Sequence, residues 1–202
     1  MATPRRLIVG ISGASGTIYG VRLLQVLRGS GIETHLVMTR SAEVTIAYEM
    51  DLKVKDVHAL ADVVYPVADI GAAISSGSFK TEGMIVAPCS IRSLAEIAYG
   101  NTTNLLSRAA DVVLKERRRL VLMVRETPLH VGHLLAMTQV SEIGAIVMPP
   151  MPAFYARPKS IEDMVNHTVG RALDLFNIDN SLVRRWCETN GSGKVPRKRS
   201  KG

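Results

Sequence analysis

The chain has 202 residues, 47% of them hydrophobic and 21% charged, with a formal net charge of +7. That is enough for one domain with a full hydrophobic core, and too ordinary a balance for a disordered, collagenous or disulfide-built protein. No apolar run approaches the roughly 18 residues of a membrane-crossing helix. The apolar stretch after Arg5 and Arg6 is too short for a leader, and two cysteines, Cys89 and Cys187, make no disulfide framework, so a cytoplasmic protein is expected.

Leu7 to Ile11 reads as a first strand. It runs into Gly10-Ile-Ser-Gly-Ala-Ser-Gly16 and then into an amphipathic segment from Tyr19 to Arg28. A strand, a glycine turn and a helix start bring backbone N–H groups and a positive helix end toward a phosphate. The glycine spacing is neither GxGxxG nor a P-loop, so the ligand class is open at this point, and close packing alone also accounts for such glycines. Further strands are expected at Thr34–Met38, Gly83–Ala87, Leu120–Val124 and Ala145–Met148. Helices are expected at Val21–Arg28, Ala42–Tyr48, Ser93–Tyr99, Leu105–Glu116, Leu129–Val140 and Ile161–Leu175. Short, continuous apolar strands alternating with helices predict an α/β fold, a Rossmann-like (flavodoxin-like) doubly wound parallel sheet in a single domain. The domain is read as residues 1–187. The remainder, 188–202, crowded with Lys194, Arg197, Lys198, Arg199 and Lys201, is read as a solvated, disordered tail and not as a nucleic-acid site.

In such a sheet the ligand lies beyond the carboxyl ends of the strands, so the loops there carry the chemistry. They read Ser12–Ser15, Thr39–Ser41, Pro88–Arg92, Arg125–Pro128 and Pro149–Pro158. Hydroxyls and arginines dominate. No Asp/Glu cluster suits Mg²⁺ and no Cys/His set has zinc spacing, so a phosphate is expected to be held by Arg, Lys and backbone donors without metal. His130 and His133 lie three apart on a helix, too few ligands for a metal. Cys89 precedes a helix start, where a thiol can be activated, but it has no evident triad partner and reads as a small core residue.

Taken together, G-I-S-G-A-S-G, A-P-C-S-I-R, R-A-A-D-V-V-L-K-E-R-R, V-R-E-T-P-L-H and P-P-M-P-A-F-Y with a late Arg-Trp resemble the UbiX-type flavin prenyltransferases over roughly residues 5 to 187. The resemblance implies transfer of a dimethylallyl group from dimethylallyl monophosphate to N5 and C6 of reduced FMN. It implies prenylated FMN as product, a UbiD-type decarboxylase as recipient (in ubiquinone synthesis or aromatic-acid decarboxylation), and a homododecamer. It implies that Gly13, Ala14, Ser15, Thr39, Ser90, Ile91, Arg92, Ser93 and Arg125 hold FMN. Thr39 stands where the family usually has Ser. Lys115, Tyr155 and Arg171, with Arg108 nearby, are implied to grip the prenyl phosphate, and Trp186 to close over the prenyl pocket. Glu49 and Glu126 match the site carboxylates, with Glu126 and Ser15 expected to form a proton relay.

The residue chemistry agrees with those implied roles. Departure of phosphate builds negative charge that Lys115, Arg171 and the Tyr155 hydroxyl can stabilise. Without the resemblance, Lys115 and Arg117–Arg119 read as a basic helix end, Tyr155 as a packing residue and Glu49 as a surface acid. Two rival readings fit less well. One is a flavin-dependent cysteine decarboxylase of the same flavoprotein group, disfavoured because Pro152 stands where that group needs Asn. The other is a non-catalytic FMN-binding subunit, disfavoured because Lys115, Glu126, Tyr155 and Arg171 are all present.

Overall fold

Apolar runs with no polar alternation need cover on both faces, and the fold supplies it. The computed structural model describes residues 4–185, so Trp186, Cys187 and the stretch 188–202 lie outside the described residues. Six strands, β1 (Arg5–Ile11), β2 (Ile32–Met38), β3 (Val63–Tyr65), β4 (Gly83–Cys89), β5 (Arg119–Val124) and β6 (Ile146–Val147), form one sheet in the order β3-β2-β1-β4-β5-β6. Every neighbouring pair is parallel. Seven helices connect them: α1 (Ile18–Leu27), α2 (Arg40–Glu49), α3 (Val54–His58), α4 (Ile91–Ala98), α5 (Leu105–Lys115), α6 (Val131–Glu142) and α7 (Ile161–Asp174).

Successive strand residues point to opposite faces. Leu7, Val9 and Ile11 of β1 face α1, α2, α3 and α7, while Ile8 packs with α4, α5 and α6. In β4, Ile85 and Ala87 join the first layer, and Met84, Val86 and Cys89 the second. The doubly wound parallel sheet expected from the sequence is therefore present. Four of the five expected strands keep their place, and the fifth contracts to two residues. β3 and α3 were not expected. β3 is a three-residue edge strand, partly exposed throughout, too short for its apolar run to mark a strand.

Strand order reverses between β1 and β4, the place where parallel sheets of this order open a crevice. Helix N-terminal caps surround it. Ser90 caps α4 by accepting from Ser93 N–H, Thr39 caps α2 by accepting from Ala42 N–H, and Asn104 caps α5 by accepting from Leu106 and Ser107. Each cap is a short polar side chain that takes up an otherwise unpaired N–H.

Candidate functional site

Ser12 fastens the crevice together. Its side chain is fully buried, and its hydroxyl donates to the Pro88 carbonyl at 2.9 Å while accepting the Ser90 N–H at 2.7 Å. The Ser12 N–H also donates to the Pro88 carbonyl. One buried hydroxyl thus sets the loop after β1 against the loop after β4. Thr39 does the same on the other side, its N–H donating to the carbonyl of Ile11. Gly13 completes this closure. A Cβ there would sit 2.4 Å from Ser41 Cβ and Oγ, so only glycine allows the β1 loop so near to α2. Gly16 adopts φ +99°, a left-handed conformation that favours glycine.

Between these loops lies a cleft of about 270 Å³. Thr39, Arg40, Ser41, Ser90, Arg92 and Ser93 contribute hydroxyls, guanidinium groups and two helix N-termini to its wall. Arg92 is 83% exposed and bonds Glu96 at 3.0 Å, and Glu96 in turn accepts from Asn104, which aligns this rim. The arrangement suits a phosphate ester: anion-directed helix ends with exposed arginines at the margin.

The first glycine turn differs from expectation. Glu49, the last residue of α2, places its carboxylate on the N–H groups of Gly16 (2.9 Å) and Thr17 (3.1 Å) and on the Thr17 hydroxyl (3.0 Å). The positive end of α1 is therefore already met by an internal anion. The helix N-termini that wall the cleft are those of α2 and α4 instead. Burial by itself would raise the Glu49 pKa. Hydrogen bonds from the Ser15 hydroxyl and from Gly16 and Thr17 outweigh it and hold the carboxyl below its usual value.

The relay expected between Glu126 and Ser15 also has different partners. Ser15 turns to Glu49, and Glu126 accepts from the N–H of Thr127 at 2.9 Å. Arg125 leaves the end of β5 with its N–H on the Cys89 carbonyl. Burial raises the Tyr19 pKa, and the nearby Arg125 guanidinium opposes that rise. Cys89 is fully buried and its thiol is pushed up to about 12, which leaves it a core residue. Ile91 and Arg92, expected in the loop, begin α4 two residues earlier than the sequence reading and form its first turn with Ser93.

The residues expected to grip the prenyl phosphate do not all meet within one chain. Tyr155, on the 3-10 turn Phe154–Ala156, reaches His167 of α7, and Arg171 lies one turn further along that helix. Asp174 holds Arg171 at 2.8 Å and Arg185 at 2.9 and 3.0 Å. Lys115 lies elsewhere. It ends α5 just before β5 begins, at the edge where the strands start, and bonds Glu116 at 2.6 Å. Arg125 follows the far end of β5, a strand about 20 Å long. The sheet also separates α5 from α7. One copy therefore cannot bring Lys115 to the phosphate that Arg125 or Arg171 would touch. Arg108, in the first turn of α5, lies nearer the cleft and pairs with Asp111 at 2.8 Å. Ser12, Ser41 and His167 carry contacts that the linear pattern did not reveal. Ser12 and Ser41 had a signal, their places in the post-strand loops; His167 had none.

Comparison with known proteins decides the family. The Flavoprotein family model matches residues 1–173. The flavin prenyltransferase UbiX of Escherichia coli (strain K12) is 61% identical over 185 residues, covering 90% of this chain and 98% of that protein. The chain belongs to the UbiX flavin prenyltransferase family. The UbiX protein of Thauera aromatica is 56% identical over 181 residues, covering 90% of this chain and 93% of its own. Among solved UbiX structures, AnUbiX (PadA1) in complex with FMN and dimethylallyl pyrophosphate superimposes with a TM-score of 0.90. It is 50% identical and covers 91% of this chain and 98% of its own. A dodecameric FMN-dependent UbiX-like decarboxylase from Escherichia coli O157:H7 gives 0.88 at 51% identity, over 90% and 98% of the two chains. The FMN-dependent cysteine decarboxylase TvaF shares the fold at 16% identity, with a TM-score of 0.59.

Proposed function

We propose that this protein is a flavin prenyltransferase that transfers a dimethylallyl group from dimethylallyl monophosphate to N5 and C6 of reduced FMN, with release of phosphate. The observation that carries the reading is the cleft at the strand-order reversal, walled by two hydroxyl-capped helix N-termini, in a chain 61% identical to a UbiX enzyme. Thr39, Ser41, Ser90, Ser93 and Arg92 receive the FMN phosphate. Gly13, Ala14, Ser15, Ile91 and Arg125 line the flavin. Tyr155 and Arg171 take the prenyl phosphate and stabilise the charge that develops as it leaves.

Lys115 and Arg108 reach that phosphate from a neighbouring copy. The wide spacing of Lys115 and Arg125 supports this, and so does α6, an apolar helix whose Val131, Leu134 and Leu135 stand exposed on a single copy. A dodecamer like that of the E. coli O157:H7 relative supplies such neighbours. Ser15 and Glu49 form the hydroxyl–carboxylate pair next to the flavin, and Glu126 takes up a proton from the opposite loop. Prenylated FMN then passes to a UbiD-type decarboxylase. Two cysteines and the lack, among the described residues, of any helix long and apolar enough to cross a membrane accord with a cytoplasmic site of action.

The test is anaerobic. Purified protein, reduced FMN and dimethylallyl monophosphate are mixed and the flavin is weighed. The expected product is heavier by one prenyl unit, and a flavin of unchanged mass refutes the assignment.

A further inference from the structure

Tyr155 has little backbone to orient it. It sits 48% exposed on a three-residue 3-10 turn in the long connection between β6 and α7. His167, only 8% exposed and carried by the fourteen-residue α7, supplies a fixed point. Its Nε2 lies 3.2 Å from the Tyr155 hydroxyl, and the rings meet edge to face with centroids 5.7 Å apart and planes at 83°. Arg171 follows His167 by four residues, so both project from one face of α7. Burial and the Arg171 charge lower the His167 pKa and favour the neutral ring.

We infer that His167 is a positioning residue for the prenyl donor: in its Nε2–H tautomer it donates to the Tyr155 oxygen, which leaves the tyrosine proton for the phosphate that the Arg171 guanidinium also meets. This rests on the reading of Tyr155 and Arg171 proposed above. His167 itself touches neither substrate nor reacting atoms, and acts by removing the freedom of a loop tyrosine before the phosphate arrives. A merely structural histidine would affect folding and both substrates alike. A positioning histidine affects the donor, and only through Tyr155.

The experiment is a double-mutant cycle on the assembled enzyme, with KM measured separately for dimethylallyl monophosphate and reduced FMN. Tyr155→Phe is expected to raise the donor KM about tenfold, the worth of one phosphate hydrogen bond. His167→Asn, polar but too short to reach the hydroxyl, is expected to raise it by about three- to tenfold with the FMN KM unchanged. The double variant should be no worse than Tyr155→Phe alone. His167→Gln, whose amide can occupy the Nε2 position, should restore the donor KM. Effects that multiply in the double variant overturn the inference. So does a His167→Asn enzyme with a normal donor KM, or a folded His167→Gln enzyme with a raised one. If Tyr155→Phe alone leaves the donor KM unchanged, the reading of Tyr155 as a phosphate ligand fails instead.

Discussion

Glu49 shows how one residue can differ from its sequence reading without leaving the site. A carboxylate at a helix C-terminus is ordinarily a solvated acid, poorly placed for its own helix dipole. Here it serves a different helix, compensating the N-terminus of α1 through Gly16 and Thr17. Glu49→Gln keeps the shape and removes the charge. It should cost about 1 kcal/mol in urea unfolding at neutral pH, the low end for charged hydrogen bonds because the group faces solvent. The folded pKa lies below the usual 4.5, so this stabilisation is complete above that value and is lost as pH falls through the lowered folded pKa. The difference between wild type and variant should therefore vanish across that acidic window, and a gap that persists below it contradicts the clamp. His167 and Asp174 make a related point: the groups that aim Tyr155 and Arg171 carry no motif of their own.

At the scale of elements, the Ser12 hydroxyl ties the glycine turn after β1 to the loop after β4, which walls the cleft. Ser12→Ala leaves the Ser90 N–H without that partner in a buried setting and should destabilise the protein by about 1–3 kcal/mol. Because the same bond sets α4 against the glycine turn, FMN affinity should fall with it. Denaturant unfolding together with flavin titration reads both effects. A stable variant that binds FMN normally would show that the loops keep their register without Ser12. The strands β1, β2, β4 and β5 were legible because burial on both faces writes an uninterrupted apolar run. β3 and α3 were not, since three and five residues are too few to show a period. The hydroxyl loops were legible because they must follow strands. The Glu49 clamp and the Ser12 bridge were not, because each joins residues far apart in the chain, and spacing within a motif says nothing of such pairs.

On the scale of the whole molecule, the proposed roles of Lys115 and Arg125, set so far apart in one copy, make catalysis a property of an assembly. Lys115→Ala and Arg125→Ala should each abolish activity. Dissociated and randomly reassembled together, they should recover it in roughly a quarter of the sites, those that draw Lys115 from an Arg125→Ala copy and Arg125 from a Lys115→Ala copy. If both residues served one site from one chain, no mixture would regain activity. The bonds that build the two halves of that site also differ in reach along the chain. Ser12 meets Pro88 and Ser90 across 76 and 78 residues, and Gly16 meets Glu49 across 33, whereas Tyr155 and His167 are 12 apart. Loop closure must precede distant contacts, so the flavin cleft is a late product of folding and the tyrosine–histidine pair an early, local one. A nascent chain that has not yet docked β4 beside β1 has no place for the flavin phosphate, and the enzyme acquires its flavin cleft only once the centre of its sheet is complete.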